Sequence, residues 1–399
     1  MSVAAAIAAG LAVAGIAQCL LGWMLVRRFA RGDAGSASVQ PPLTVLKPLH
    51  GDEPLLAEGL ATFCRQDYPA YQLVFGVSSA ADPALAVVRW LQAKFAACDI
   101  AVVVDATEHG PNGKVGNLIN MLPAAKHGVL VIADSDLHVA PDYLARLAAA
   151  LEKPGVGLVT TLYAGWPAED RWPARLGATQ ITHGFLPGAL LARWMGRQDC
   201  LGATMMLRRE TLARIGGLAA LAPHLSDDHV LGRRVQQIGL RVALARTVPL
   251  TIVPETTLAA LLSHELRWAR TIRALVPFAF AGSCLQYPIF FAAMALALSQ
   301  GAAWAGALFA AAWAVRGVAA TAIDHSLRAR TGGVAFAAPV WLLPLRDLIS
   351  VAVMLASYCG SRVTWRGQTL HADDGGRQRG WSPRQGGAGL AQGAGQREC

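Results

Sequence analysis

Charge is scarce in this chain. Only 15% of its 399 residues are Asp, Glu, Lys or Arg, 54% are hydrophobic, and the mean hydropathy is +0.38. That balance excludes a wholly soluble protein. Cysteine is sparse and scattered: the seven thiols are odd in number and no pair has metal-ligand spacing. This excludes a zinc ribbon or a disulfide framework and predicts reduced thiols in a cytoplasm-facing protein. A P-loop is missing as well. The one Gly-bearing helix entry with a lysine, Asn112-Gly113-Lys114-Val115-Gly116-Asn117-Leu118, lacks the four-residue spacer and the Lys-Ser/Thr pair. No groove-reading motif accompanies the net charge of +9, so the basic balance points to anionic lipid and a phosphate-rich substrate rather than nucleic acid.

The apolar excess is concentrated at the two ends. Residues Ala4 to Val26 carry no charge and are followed by Arg27, Arg28 and Arg31. The run is long enough to span a bilayer, and charges after it rather than before predict a retained anchor over residues 1–30 with its amino end outside. Leu275 to Ser299 and Ala302 to Ile323 read as two further spans joined by a tight turn at Gln300-Gly301. The stretch Val334 to Tyr358 is interrupted by Pro339, Pro344, Arg346 and Asp347. A full crossing would put the basic tail outside, so a re-entrant pair of half-helices is the expectation for this part of the 275–360 membrane region. From Asp373 to the end the composition of Gly, Gln and Arg predicts disorder. Thr257 to Ala274 alternates Leu258, Leu261, Trp268 and Ile272 with His264, Glu265, Arg267, Arg270 and Arg273. This is the pattern of a basic amphipathic helix lying in the membrane interface, or of an ordinary helix packed on its domain.

Between these ends, from about residue 43 to 252, strand and helix patterns alternate, which predicts an α/β domain with a largely parallel sheet. Its central element is Val129-Leu130-Val131-Ile132-Ala133, an unbroken apolar run followed at once by Asp134-Ser135-Asp136. A run of that kind is a strand buried on both faces, and ligands bind beyond the carboxyl ends of such strands. Asp134 and Asp136 share one face of an extended segment. Two carboxylates there suit Mg²⁺ or Mn²⁺, whose remaining ligands come from water and phosphate; an ordinary Asp/Ser turn is the alternative. Asp82 before Pro83 is either a ligand-facing carboxylate or a helix cap. Lys114, at a helix entry, can meet a phosphate or hold a neighbouring aspartate. The Ser226-Asp227-Asp228 triplet opens another helix, where acids serve as caps or face an acceptor hydroxyl.

Taken together, Val45-Leu46-Lys47-Pro48-Leu49-His50-Gly51, Gln66-Asp67-Tyr68-Pro69, Gly113 to Leu118, Asp134-Ser135-Asp136, Ser226-Asp227-Asp228 and Arg267-Trp268 resemble the ordered motifs of a processive-type family 2 glycosyltransferase. The likeness is stronger still to ceramide glucosyltransferases and to hopanoid-biosynthesis glycosyltransferases of bacteria. It implies a GT-A catalytic domain, a Rossmann-like mixed sheet with helices on both faces, using a UDP-sugar and Mg²⁺ or Mn²⁺ with inversion at the anomeric carbon. It implies donor-site roles for Lys47, Asp82, Lys114, Asp134, His264, Arg267, Trp268 and Arg270, metal ligation by Asp134 and Asp136, and Asp228 as general base. His264 departs from the Gln or Arg usual at that position. The expected activity is transfer of N-acetylglucosamine or glucose to a lipid hydroxyl, of a hopanoid first and of ceramide second, with the domain on the cytoplasmic face of a bacterial-type inner membrane. A processive polysaccharide synthase is the rival, but it calls for more spans and more aromatic residues than the 7% here. A non-catalytic lipid-binding relative would not need the full set of acids.

Overall fold

The computed structural model describes residues 2–32, 39–331, 333 and 339–360, with the backbone of 362–365 and 368–371. Its organising layer is a seven-stranded sheet in the order β3-β2-β1-β4-β8-β6-β9. The strands are β1 (Leu43–Pro48), β2 (Tyr71–Val77), β3 (Asp99–Val104), β4 (Val129–Ala133), β6 (Val156–Thr160), β8 (Thr204–Arg208) and β9 (Arg241–Leu244). The first four are parallel, whereas β8 runs antiparallel to both β4 and β6. The sheet is therefore mixed, as the GT-A likeness implies and as strand–helix alternation alone does not. Every residue of β1 and of β4 is buried, because apolar clusters cover both faces of the sheet. A second sheet, β5 (Leu137–His138), β10 (Leu250–Val253) and β7 (Ala164–Pro167), in the order β5-β10-β7, lies just past the end of β4.

Local rules account for most boundaries. Asn112 caps the helix Gly113–Met121 by accepting from the Val115 amide, and Thr257 caps Leu258–Leu275 through the Ala260 amide. Pro54 lies two residues ahead of the next helix. Leu55 adopts a left-handed φ of 57° and the helix Leu56–Phe63 starts after it. The six described cysteines are all free thiols.

At the amino end, Val3–Arg31 is one continuous helix, long and apolar enough to cross a membrane. The expected straight span at Leu275 to Ser299 is broken instead. Pro277–Gln286 and Pro288–Leu298 meet at Tyr287 with a 68° bend. The physical reason is Pro288, which lacks the N–H and cannot continue a preceding helix. The hairpin turn is where it was read, with Gln300 and Gly301 at φ 53° and 82°, and Ala303–Leu327 returns as a single long helix. Beside it, Leu343–Ser357 follows a short turn at Val340–Leu342.

Val340–Ser357 is likewise long and apolar enough to cross a membrane. Arg330, after the long helix, donates to Ala30 and Gly32 carbonyls at the carboxyl end of Val3–Arg31. Val340 accepts from Trp313 Nε1 at 2.7 Å, which lies about 20 Å up that helix by the rise per residue. Gly360, at the far end, accepts from Arg273 of the amphipathic helix. These bonds tie Arg330 to the first helix, Val340 to the long helix and Gly360 to the amphipathic helix. Residues 334–338 and the basic tail from 372 onward, including the stretch expected to be disordered, lie outside the described residues.

Buried ions fix these broken helices. Asp347 accepts from the Ile289 amide at 3.2 Å, satisfying one of the orphan N–H groups exposed by the break, and from Arg316 at 3.3 Å. Arg346, wholly buried, grips Glu265 of the amphipathic helix through two bonds of 2.7 Å. The amphipathic helix therefore packs against protein: Leu261 and Ala269 are buried in a cluster with Leu176, Leu342, Ile349 and Val353.

Candidate active site

The carboxyl end of β4 delivers the two acids into a cavity of about 710 Å³. Asp134 Oδ1 is 2.6 Å from Lys114 Nζ, which also approaches Asp227 at 3.9 Å. The nearby carboxylates raise the Lys114 pKa well above the ordinary lysine range against the opposing cost of its burial. Asp136 Oδ2 accepts from Thr251 Oγ1 of β10 at 2.5 Å. Burial, and then the charge of Asp134, push the Asp136 carboxyl up to about 6. Lys47, at the end of β1, is fully buried. Its Nζ donates to the Asp134 carbonyl at 2.6 Å and sits 3.7 Å over the Phe63 ring. Desolvation brings its pKa down to about 7 even though Asp136 and Asp134 pull the other way.

Further along the chain, past β8 and the short turn Leu218–Ala220, the start of the helix Asp227–Gln237 brings up a second acid pair. Asp227 is buried beside Lys114 and Asn112. Asp228 faces the cavity and accepts only from its neighbour's amide, His229 N, at 2.7 Å. Burial, then the Asp227 charge, raise Asp228 to about 7. Gly202 makes this position possible. It has a φ of 77°, and a Cβ there would lie 2.7 Å from Asp228 Oδ2. Both acids line the cavity, but Asp227 is held by Lys114 and Asn112, whereas Asp228 has no side-chain hydrogen-bond partner among the described residues.

The amphipathic helix closes the site. His264, Arg267 and Trp268 all line the cavity. His264 Nδ1 is paired with Glu255 and its ring stands edge-on to Trp268, 4.5 Å between centroids. Seven of the ten expected site residues are therefore brought together: Lys114, Asp134, Asp136, Asp228, His264, Arg267 and Trp268. Three are not in the lining. Lys47 acts one layer behind it, through the Asp134 backbone. Asp82 caps the Ala84 amide and holds the Gly51 amide at 3.1 Å, so it shapes the loop after β1. Arg270 turns to the other side of its helix, toward Gly360. Reading the sequence missed Glu53, Tyr163 and Thr251, which also line the cavity. Thr251 reaches Asp136 across 115 residues, and no local pattern signals such a pairing. Among the described residues, no three His, Cys, Asp or Glu side chains gather into a metal cage. The pair at Asp134 and Asp136 still fits Mg²⁺ or Mn²⁺, because such ions take one or two carboxylates and complete their shell with phosphate and water.

The cavity does not end at these acids. It continues between Ile181, Phe185, Phe280, Val353 and Met354 into the membrane helices. A model of glycosyl transferase family 21 matches residues 7–378, from the amino-terminal helix through the last described strand. The chain belongs to glycosyl transferase family 21. Within the expected likeness, it is the ceramide glucosyltransferase side that the relatives carry. The chain is 24% identical over 241 residues to ceramide glucosyltransferase 3 of Caenorhabditis elegans, covering 59% of this chain and 52% of that protein. It is 30% identical over 115 residues to the ceramide glucosyltransferase of Komagataella phaffii, covering 28% and 23%. This family 21 chain thus spans about half the length, or less, of the curated relatives it matches. Among solved structures, a mannosyltransferase from Pyrobaculum calidifontis in complex with GDP-Man and Mn²⁺ superposes with a TM-score of 0.53 at 20% identity, over 89% of this chain and 99% of that one. At that identity the likeness shows the GT-A fold.

Proposed function

We propose that this family 21 protein transfers a hexose, glucose or N-acetylglucosamine, from a UDP-sugar to a hydroxyl of a membrane lipid by single displacement with inversion. The acceptor class placed first is now ceramide, ahead of the hopanoid, because the relatives it matches are ceramide glucosyltransferases. The observation that carries the reading is one continuous cavity with a pair of strand-end carboxylates at one end and membrane helices at the other. A donor bearing phosphates suits the first end and a lipid suits the second.

In this reading Asp228 takes the acceptor proton as its hydroxyl attacks. A carboxylate raised to about 7 by burial is poised near the working pH of a general base. Asp134 and Asp136 would hold Mg²⁺ or Mn²⁺. When bound, such an ion offsets charge developing on the leaving diphosphate. Lys114 and Arg267 line the same space and add positive potential there. Trp268 and the His264–Glu255 pair close the wall above, excluding water. Arg27, Arg28 and Arg31 at one end of the first helix, with the catalytic domain directly after it, support a cytoplasmic position for this domain by the positive-inside rule.

The test is transfer by the purified protein in lipid vesicles, supplied with UDP-glucose or UDP-N-acetylglucosamine and with ceramide or a hydroxylated hopanoid, read by mass spectrometry. The expected result is ceramide heavier by one hexose unit, abolished by excess chelator. Full turnover in chelator would defeat the metal assignment. Absence of any glycosylated lipid with every donor would defeat the function.

A further inference from the structure

Tyr163 stands where the chain changes sheets. β6 runs antiparallel to β8, and β8 antiparallel to β4, so β6 and β4 point the same way and end on the same edge. Thr160 closes β6, and Ala164 opens β7 of the second sheet, its amide bonded to the Pro249 carbonyl at 3.0 Å. The link between the two strands is short, residues 161–163, and both neighbours of Tyr163, Leu162 and Ala164, are buried. The backbone at this position is therefore fixed from either side. The ring is fixed too. It stacks on Phe185, with 4.8 Å between centroids and 28° between planes, and packs against the cluster of Ala174, Ala178, Ile181 and Val253.

What this framework holds in place is a phenol with nothing to bond. Tyr163 lines the cavity, and its hydroxyl has no hydrogen-bond partner among the described residues. A tyrosine hydroxyl inside a protein usually finds one. Burial first, then the charges of Asp228, Asp134 and Asp136 in that order, push the phenol above its ordinary range, so it keeps its proton. The hydroxyl thus shares one field with the general base and with the strand-end pair. Ionised carboxylates only accept hydrogen bonds, and the phenol is a neutral donor set among them. In the reaction proposed above, the space between a base that receives the acceptor's proton and a pair that holds the diphosphate is the space of the sugar itself. A sugar hydroxyl can accept from a phenol and donate to a carboxylate at once.

We infer that Tyr163 is a specificity-determining residue for the donor, its hydroxyl donating to one hydroxyl of the transferred hexose. The inference rests on the hexosyl-transfer reading above and adds a residue to it. A site built to bond a substrate hydroxyl rejects an analogue that lacks it, because the group meant to receive it is left unpaired. Tyr163→Phe removes the phenol oxygen and leaves the ring, its stack on Phe185 and the backbone as they are.

Wild type and Tyr163→Phe are assayed in lipid vesicles with UDP-glucose or UDP-N-acetylglucosamine, whichever wild type transfers, and with each mono-deoxy analogue of that donor. The readouts are kcat/KM, UDP affinity by calorimetry and thermal unfolding. The expected result is a loss of roughly ten-fold for the variant with the parent donor, the scale of one hydrogen bond, with UDP affinity and unfolding unchanged. One deoxy analogue should stand apart: poor with wild type, and no poorer with Tyr163→Phe, because the partner hydroxyl is already gone. If the variant slows every donor by the same factor, Tyr163 acts on the acceptor, on Asp228 or on the fold, and the inference is refuted. Unchanged rates with all donors, or a fall in UDP affinity as large as the fall in rate, refute it as well. If wild type transfers neither sugar, the proposed function falls. The same comparison made on UDP-glucose binding then decides Tyr163 separately, with one insensitive analogue supporting it and uniform losses or no binding overturning it.

Discussion

The two ends of the cavity treat charge in opposite ways. At the membrane end two buried arginines are matched in advance. Arg346 holds Glu265 through both carboxylate oxygens, and Arg316 holds Asp347, which also caps a helix. At the sheet end the acids outnumber the nearby cations. Asp136 and Asp228 are half-buried, form no ion pair among the described residues, and have carboxyls raised to about 6 and about 7. The difference separates charge used to hold a shape from charge kept available for chemistry. Perturbed, cavity-facing acids belong to the second class.

Mutations distinguish the two classes. The largest effect on rate is expected for Asp228→Asn, a loss of roughly 10²–10⁴-fold in turnover, as for removal of a general base, with UDP affinity retained by calorimetry. Asp227→Asn should be milder, because Asp227 is already engaged by Lys114 and Asn112. Equal small losses in both would erase the distinction drawn between these neighbours. At the membrane end the effect falls on stability. Arg346→Ala strands the Glu265 carboxylate and should destabilise the detergent-solubilised protein by about 3–5 kcal/mol, whereas joint replacement of both partners by apolar residues of similar size should cost far less. A double variant as unstable as the single one would show that the pair does more than match charge.

The smallest effect is a titration. Below about pH 7 the Asp228 carboxyl holds its proton in the folded protein, so kcat/KM should fall about ten-fold for each pH unit below that point and level off above it. The sign for stability is the reverse. In the unfolded chain an aspartate ionises near ~3.9, so between there and about 7 the folded form binds the extra proton and loses stability as pH rises. A rate profile flat from pH 5 to 8 would put the base elsewhere.

The same contrast explains what could be read without coordinates. Asp134 and Asp136 were legible because an apolar strand announces itself and its carboxyl end marks a site. Asp228 was legible through its triplet and helix start. Glu53, Tyr163 and Thr251 were not, because each joins the site through tertiary packing. The Gln180–Ser350 bond was less visible still, since it joins residues 170 apart. The break at Tyr287 did carry a signal. Pro288 stands within the apolar run, but a window long enough to find a span averages it away.

The bond from the Ile289 amide to Asp347 has a consequence for how the protein is made. The donor is synthesised 58 residues before its acceptor. Until Leu343–Ser357 has left the ribosome and turned back alongside, the start of Pro288–Leu298 has no carboxylate to receive its free amides. Asp347 comes last, on Leu343–Ser357, to meet Arg316 of Ala303–Leu327 and the Ile289 amide, so this tie between three helices can close only after the last of them is made, and a chain interrupted before residue 347 would lack it.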